Sequence, residues 1–465
     1  MGVVEDIAQA AEQISSAENI TVISHIDADG VSSASVICEA IRRMEIPVKP
    51  VFIRQLEPLT MKHVPTDDSL KVFTDLGGGQ QNLMEEAKMP TDKVLILDHH
   101  ISQPAPGGTP YFQVNSQFYG QDYAKCSAAG IAYLVARKMS TENRDLAKLA
   151  VVGNIGDMMA REKCRLTGIA RWIAEDGENA GDVEIRSCIN CYGLSTRPLH
   201  QCLANSDDPI IPGISQNPAG AAALLVKSGI YANPNDARIF EELSADEVRT
   251  LSSLVAEQMI ANGESTERLF AEQYFFPREQ EKTPLRNASE YATLLNACGR
   301  WAKPEIGEAV CRGDRGQKYR EAEHMLRHHR TIIRELCEHI LETGVEDLGF
   351  IQSIHTGDKY PDTIVGIGAG MALSKLDTDK PILVMCEVVG EPDLIKVSMR
   401  TYEKVLRRGV DLQQALVAAA ADFGGAGGGH NIAAGAYIPK GCENDFTRRV
   451  NELIEDQLAA GAADR

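Results

Sequence analysis

The sequence predicts an α/β protein: a parallel sheet in the first domain, a mainly helical middle region, and a second, smaller α/β domain at the end. Three observations predict it. Short β-branched runs alternate with helical periods over roughly the first 100 residues, helical periods dominate from about Cys126, and strand patterns return after Gly349. Strands interleaved with helices build βαβ units, and the strands of such units lie parallel.

The first strand spans Ile20 to Ser24, with Asn19 before it as a turn residue. After Gly30, Val31, Ala34, Ile37, Cys38 and Ile41 recur at helical spacing and lead to a strand at Val48 to Ile53. Further strands are expected at Lys71 to Thr74 and Val94 to Leu97. Helices follow at Ser127 to Met139, at Asp145 to Gly153, and in a long series between Asn235 and Glu342 with a charged segment from Tyr319 to Leu341. Little of that middle reads as strand. Strands then return at Gly349 to His355, Ile382 to Val389 and Leu394 to Arg400, followed by a helix from Asp411 to Ala421, a glycine-rich stretch and a strand at Ala433 to Ile438. The expected domains are 1–190, 191–345 and 346–465, in keeping with about 150 residues per domain.

Apolar residues make up 43% of the chain and charged residues 24%, which excludes wholesale disorder, collagen and coiled coil. No apolar run approaches the ~18 residues of a membrane span, and the first residues lack a basic leader, so no membrane partner and a cytoplasmic location are expected. Lys and Arg number 47 against 66 Asp and Glu, a net charge of −19. Nucleic acid could be held only along a local basic strip. Eleven cysteines without a leader fit a reducing compartment and read mostly as small core residues.

Chemistry concentrates where strands end. The first strand runs into His25-Ile26-Asp27-Ala28-Asp29-Gly30, the third into Asp75-Leu76-Gly77, and the fourth into Asp98-His99-His100. In an open parallel sheet the carboxyl ends of the strands share one edge, where ligands bind. Four or more carboxylates gathered there need a cation to neutralise them. If the first of these segments stays extended, His25, Asp27 and Asp29 point the same way and offer three ligands from one loop. Oxygen and imidazole donors without thiolate suit Mn²⁺ or Mg²⁺ better than structural zinc.

These motifs, with Thr74-Asp75-Leu76-Gly77 and Gly153-Asn154-Ile155-Gly156-Asp157, resemble those of the DHH phosphoesterases, a family named for the motif standing here at Asp98-His99-His100. The resemblance covers about the first 190 residues and the last 110, where Ser398-Met399-Arg400 and the run Gly424-Gly425-Ala426-Gly427-Gly428-Gly429-His430 resemble motifs of the associated DHHA1 domain. It implies a parallel-sheet DHH domain and a smaller α/β DHHA1 domain joined by the helical middle. It also implies one metal ion on His25, Asp27 and Asp75 and a second on Asp29, Asp75, His99 and Asp157, with Asp75 bridging. Asp98 is then expected to orient its neighbours and His100 to contact the reacting phosphate, while Ser398, Arg400, Gly428, Gly429 and His430 bind substrate. Glycines free backbone amides to approach an anion, and a guanidinium suits a phosphodiester. Two ions about 3.5 to 4 Å apart support in-line hydrolysis without a protein nucleophile.

The large middle region makes the chain resemble the archaeal RecJ-like branch of the family, and implies a two-metal exonuclease on single-stranded DNA or RNA. The alternatives are a phosphoesterase for short oligonucleotides or small molecules, or a scaffold with residual activity bound to GINS and the replicative helicase or to an RNase J-type nuclease. Two other signals carry less. Cys188-x-x-Cys191 with His200 and Cys202 lacks the second pair of a zinc knuckle, and His324 and His328, beside Arg327, His329 and Arg330, read as a charged, solvated helix face.

Overall fold

The computed structural model describes residues 2–58, 60–388 and 391–463. The chain forms two compact units that divide after Leu326.

The first unit is built on five parallel strands: β1 (Ile20–Ser24), β2 (Val48–Phe52), β3 (Leu70–Thr74), β4 (Val94–Asp98) and β5 (Phe112–Asn115), in the order β2-β1-β3-β4-β5. Their side chains alternate between two cores. Val22, Val72, Leu95 and Leu97 join one cluster, while Ile23, Phe73, Val94 and Ile96 join the other. A sheet covered on both faces needs apolar residues at successive positions, which is why these strands read as continuous runs. The expected strands lie within a residue of those observed. The edge strand β5 was not expected, since its sequence Phe-Gln-Val-Asn carries polar residues at alternate positions without the flanks of a strand signal.

Helix α1 (Ala28–Arg42) follows β1, and α2 (Ala128–Met139) and α3 (Ala147–Gly156) pack against it. Beyond them, β6 (Glu184–Ile189) and β7 (Phe270–Phe275) pair antiparallel, a ribbon the charged residues of both segments conceal from a strand search. Between these strands lies a separate core that includes Cys188, Leu199, Cys202, Leu225, Leu251 and Phe275. After β7 the chain returns to the first core. Helix α4 (Ala288–Arg300) and the helix Pro304–Cys311 contribute Tyr291, Leu294, Leu295, Ile306 and Val310 to it. The first core is therefore completed by residues well beyond 190.

Helix α5 (Gln317–Thr343) leads into the second unit, a mixed sheet of β8 (Glu346–Asp347), β9 (Gln352–His355), β10 (Ile382–Val388), β11 (Glu391–Arg400), β12 (Ala426–Gly429) and β13 (Ala433–Pro439), in the order β12-β13-β11-β10-β9-β8. The strand expected to reach Val389 ends at Val388, and Val389 lies outside the described residues. The glycine-rich stretch is partly a strand: Ala426–Gly429 forms the sheet edge, paired antiparallel with β13.

Helix α4 fixes the loop after β1. Asn296 Oδ1 accepts the Ala28 amide at 2.9 Å, and a Cβ on Gly299 would stand 1.8 Å from the carbonyl oxygen of Ile26. Only a residue without a side chain lets the helix approach this closely. Gly299→Ala is expected to lower the unfolding free energy by about 1–3 kcal/mol through overpacking, read from the midpoint of a urea transition.

Candidate metal centre

In the order β2-β1-β3 the connections from β1 and β3 diverge, and a crevice opens beyond their carboxyl ends. Two adjoining groups of ligand atoms meet there. His25, Asp27 and Asp75 make one, with His25 Nδ1 3.1 Å from Asp27 Oδ2 and 3.5 Å from Asp75 Oδ2. Asp29, His99 and Asp157 make the other, with His99 Nε2 3.8 Å from Asp29 Oδ2 and 3.5 Å from Asp157 Oδ2. Asp75 stands between them, its Oδ1 3.3 Å from His99 Nε2 and its Oδ2 toward His25.

Local structure explains each position. The segment after β1 does not stay extended, because Asp27 caps α1 by accepting the Gly30 amide at 3.0 Å and Asp29 sits in the first helical turn. His25 and Asp27 thus go to one group and Asp29 to the other, so the segment offers three ligand atoms to adjoining groups although it does not stay extended. Asp29, 1% exposed, accepts the amides of Ala128 and Ala129 at 2.8 and 3.0 Å, at the positive end of α2. Gly153 makes room for it: a Cβ there would lie 2.5 Å from Asp29 Oδ1. Asp157 terminates the same helix, α3. Asp75 lies in the left-handed backbone region at φ 60°, held by its amide bond to the Leu97 carbonyl at 3.1 Å. A strained non-glycine residue at the meeting point of two ligand groups is the kind of outlier that function retains.

Asp98 is fully buried and its oxygens are occupied. Oδ1 accepts the amides of His99 (2.7 Å) and His100 (3.2 Å) and meets His100 Nδ1 at 2.9 Å, while Oδ2 accepts the Gly78 amide at 2.9 Å. It braces the loops after β3 and β4. His100 is half exposed and 3.9 Å from Asp75 Oδ1, next to the ligand groups with one ring edge free.

The cluster balances its charge with protons. Burial lowers the His99 imidazole, but the closeness of Asp75 and the charges of Asp157 and Asp29 push it up to about 10. His25 is likewise held well above its ordinary range by Asp27 and Asp75 against the effect of burial. Burial and the Asp75 charge raise Asp29, and the same two causes push Asp157 up to about 6. Asp98, by contrast, is brought down to about 2 by His100 and the amides despite its burial. A divalent cation would supply the compensation that these protons provide. The residues fit one: His99 Nε2 is buried without a hydrogen-bond partner amid three carboxylates, and the mixed nitrogen and oxygen set suits Mn²⁺ or Mg²⁺.

The second unit holds its own group. Ser398 on β11 pairs with Gly435 on β13, and Gly435 pairs in turn with Gly428 on β12, so the three form a row. Arg400 donates to the carbonyls of Met399 (2.7 Å) and Ala434 (3.3 Å), and burial lowers its pKa with no carboxylate beside it. Its guanidinium occupies the space left by Gly366 in the helix Asp362–Leu373, where a Cβ would lie 2.4 Å from Nη2. Gly429 ends β12, and His430 is an exposed turn residue whose amide bonds to Ala433 O at 2.9 Å. The backbone of β12 is thus engaged with β13 on one side instead of forming a loop.

The lesser signals go elsewhere. Cys188, Cys191 and Cys202 lie in the middle core, and His200 Nδ1 meets the Tyr231 hydroxyl at 3.3 Å, so no zinc knuckle forms. His324 and His328 are exposed on α5, but His329 is buried, so it does not belong to the solvated face. Sequence reasoning missed Asn296 and Gly299, which hold the His25 loop from 268 or more residues away, and Gly366 beneath Arg400; neither lies in a charged or strand-end motif.

Comparison with known proteins places three family domains along the chain. Residues 19–154 match the model of the DHH family N-terminal domain, 191–270 that of the DHH-CID domain and 349–456 that of the DHHA1 domain. An uncharacterized protein of Methanocaldococcus jannaschii is 27% identical over 450 residues, 94% of each chain. Among solved structures, the manganese-bound exonuclease RecJ superposes with a TM-score of 0.60 at 16% identity, covering 98% of this chain and 94% of the other. CDC45 from Entamoeba histolytica gives 0.61 at 10% identity, covering 97% and 98%. No helix among the described residues is long and apolar enough to cross a membrane.

Mn²⁺ at a hundred times its dissociation constant is expected to stabilise the fold by about 2.7 kcal/mol, raising the thermal midpoint. Asp75→Asn should remove most of that shift in the same scan. A wild-type midpoint indifferent to saturating Mn²⁺ and Mg²⁺ would refute metal binding at this cluster.

Proposed function

We propose that this chain, built of DHH, DHH-CID and DHHA1 domains, is a divalent-metal phosphodiesterase that removes nucleotides from the end of single-stranded DNA or RNA. The observation that carries the reading is the pair of ligand groups sharing Asp75. In this reading His25, Asp27 and Asp75 hold one Mn²⁺ or Mg²⁺ ion, and Asp29, Asp75, His99 and Asp157 the other. When bound, the ions would polarise the phosphate and activate water for in-line attack.

The chain's own residues prepare that chemistry. Asp75, fixed in its strained backbone, sets the spacing of the two groups, and the amides of α2 hold Asp29 in place. Asp98 keeps the His100 ring oriented through Nδ1, which leaves Nε2 to donate to a phosphate oxygen. In the second unit, Arg400 and Ser398 beside the glycine row offer a guanidinium and a hydroxyl to a backbone phosphate. The complete ligand set favours catalysis over a purely scaffolding role, for which those ligands need not persist. A compact phosphoester such as a dinucleotide is the competing substrate.

Cleavage of 5′-labelled and 3′-labelled single strands, as DNA and as RNA, tests the reading with Mn²⁺, with Mg²⁺ and with chelator. Metal-dependent ladders are expected; hydrolysis of a dinucleotide alone would replace the strand reading with the compact one. Asp75→Ala is expected to fall to the rate of the chelated wild type while keeping its fold by circular dichroism. Asp98→Ala, which removes a brace and not a ligand, is expected to lose about 10- to 100-fold.

A further inference from the structure

Exposed apolar side chains border the metal centre. Ile101, which follows His100, is 80% exposed, more than any other large apolar side chain among the described residues. Phe118 is 52% exposed and Met158, directly after Asp157, is 62% exposed. Hydrogen bonds and an ion-pair contact link the segments that carry them. Asn115 Nδ2 donates to the His100 carbonyl and Gln117 Nε2 to the His99 carbonyl, both at 3.0 Å, so the segment bearing Phe118 is fastened to the segment bearing Ile101. Met158 stands next to the residue whose carboxylate lies 3.5 Å from His99 Nε2.

Single exposed apolar residues are ordinary on a protein surface. Three placed one residue from His100, Asp157 and the Gln117 that fastens His99 are a different matter. Met158 is also held at φ 59°, a left-handed conformation an exposed side chain gains nothing by adopting. A cation follows closely in the chain: the Arg161 amide bonds to the Met158 carbonyl at 2.9 Å, and no ion pair of its guanidinium is found among the described residues. In a chain with net charge −19, an unpaired arginine one turn from an apolar rim matches the combination that holds single strands: an apolar surface for a base and a cation for its phosphate.

We infer that Ile101, Phe118 and Met158 form a stacking rim for the nucleobase flanking the scissile phosphate, with Arg161 on the adjoining backbone phosphate. This rests on the proposed hydrolysis at the metal centre and narrows its substrate to nucleotides that carry a base. The rim is sequence-tolerant, since every base offers an apolar face and no hydrogen-bonding side chain takes part.

The test uses the full chain with Mn²⁺ on two single strands of eight thymidines, one intact and one with abasic residues at both ends, so that polarity does not matter. The ratio of kcat/KM between them is the readout. The wild type is expected to favour the intact strand by about tenfold or more. Ile101→Ala and Phe118→Ala should each lower that ratio several-fold, the triple variant with Met158→Ala should bring it close to one, and Phe118→Met should retain it. The Mn²⁺ thermal shift should persist in every variant, and the single variants supply the ratio if the triple variant does not fold. Arg161→Gln should reduce the salt dependence of binding by a slope of about 0.7. Wild-type hydrolysis of both strands at equal rates, or variants that keep the wild-type ratio, would overturn the rim and leave the strand reading intact. Absence of hydrolysis on either strand would overturn both.

Discussion

Mutual repulsion among clustered carboxylates, two of them buried, is the constraint to which the first unit is built. Asp27, Asp29, Asp75 and Asp157 meet around His25 and His99, and among the described residues no arginine or lysine is paired into the group. Such a cluster is costly to fold unless something positive enters it. The surrounding structure accepts that cost in identifiable places: a left-handed aspartate at the end of β3, two amides of a helix start spent on Asp29, and four hydrogen bonds spent on Asp98.

What makes the site possible is the combination of a rigid sheet with close-packed helix starts. Strands covered on both faces cannot shift register without turning apolar side chains to the wrong layer, so the exits of β1, β3 and β4 are held in a constant relation. Small residues then let α1, α2 and α3 meet near Asp29, with Gly153 at the tightest point. Candidate ligands contributed by four separate segments are thereby placed with the precision of the scaffold and not with that of the loops.

Much of this was legible in the sequence because acids and histidines stand immediately after β-branched runs. The strand exits at His25, Asp75 and Asp98 lie where the runs ended, while the grouping of the candidate ligands was implied by the family resemblance and not by the strand order. Other features were hidden for physical reasons. An Asp-Ala-Asp-Gly segment reads equally well as an extended loop or a helix start, and only the Asp27 cap decides between them. The edge strand β5 and the ribbon of β6 and β7 are too polar to announce themselves, and the glycine run reads as a loop although pairing with β13 makes part of it a strand. Long-range supports such as Asn296 leave no local signal, because their purpose is visible only in what they touch.

The return of the chain to the first core after β7 bears on how the protein is made. Residues 1–189 emerge from the ribosome with the sheet and all six candidate ligands in hand, but the face covered by Tyr291, Leu294, Leu295 and Val310 stays bare until another hundred or so residues have been synthesised. During that interval the residues of the middle core are already synthesised while the half that carries the acid cluster waits for its last helices. The site is thus finished late, and a nascent or prematurely terminated chain holds its acids without the support that positions the His25 loop. Cutting the gene between the first two domains would yield an exposed apolar surface, not a minimal enzyme, so any dissection of the protein has to remove the middle as an internal loop.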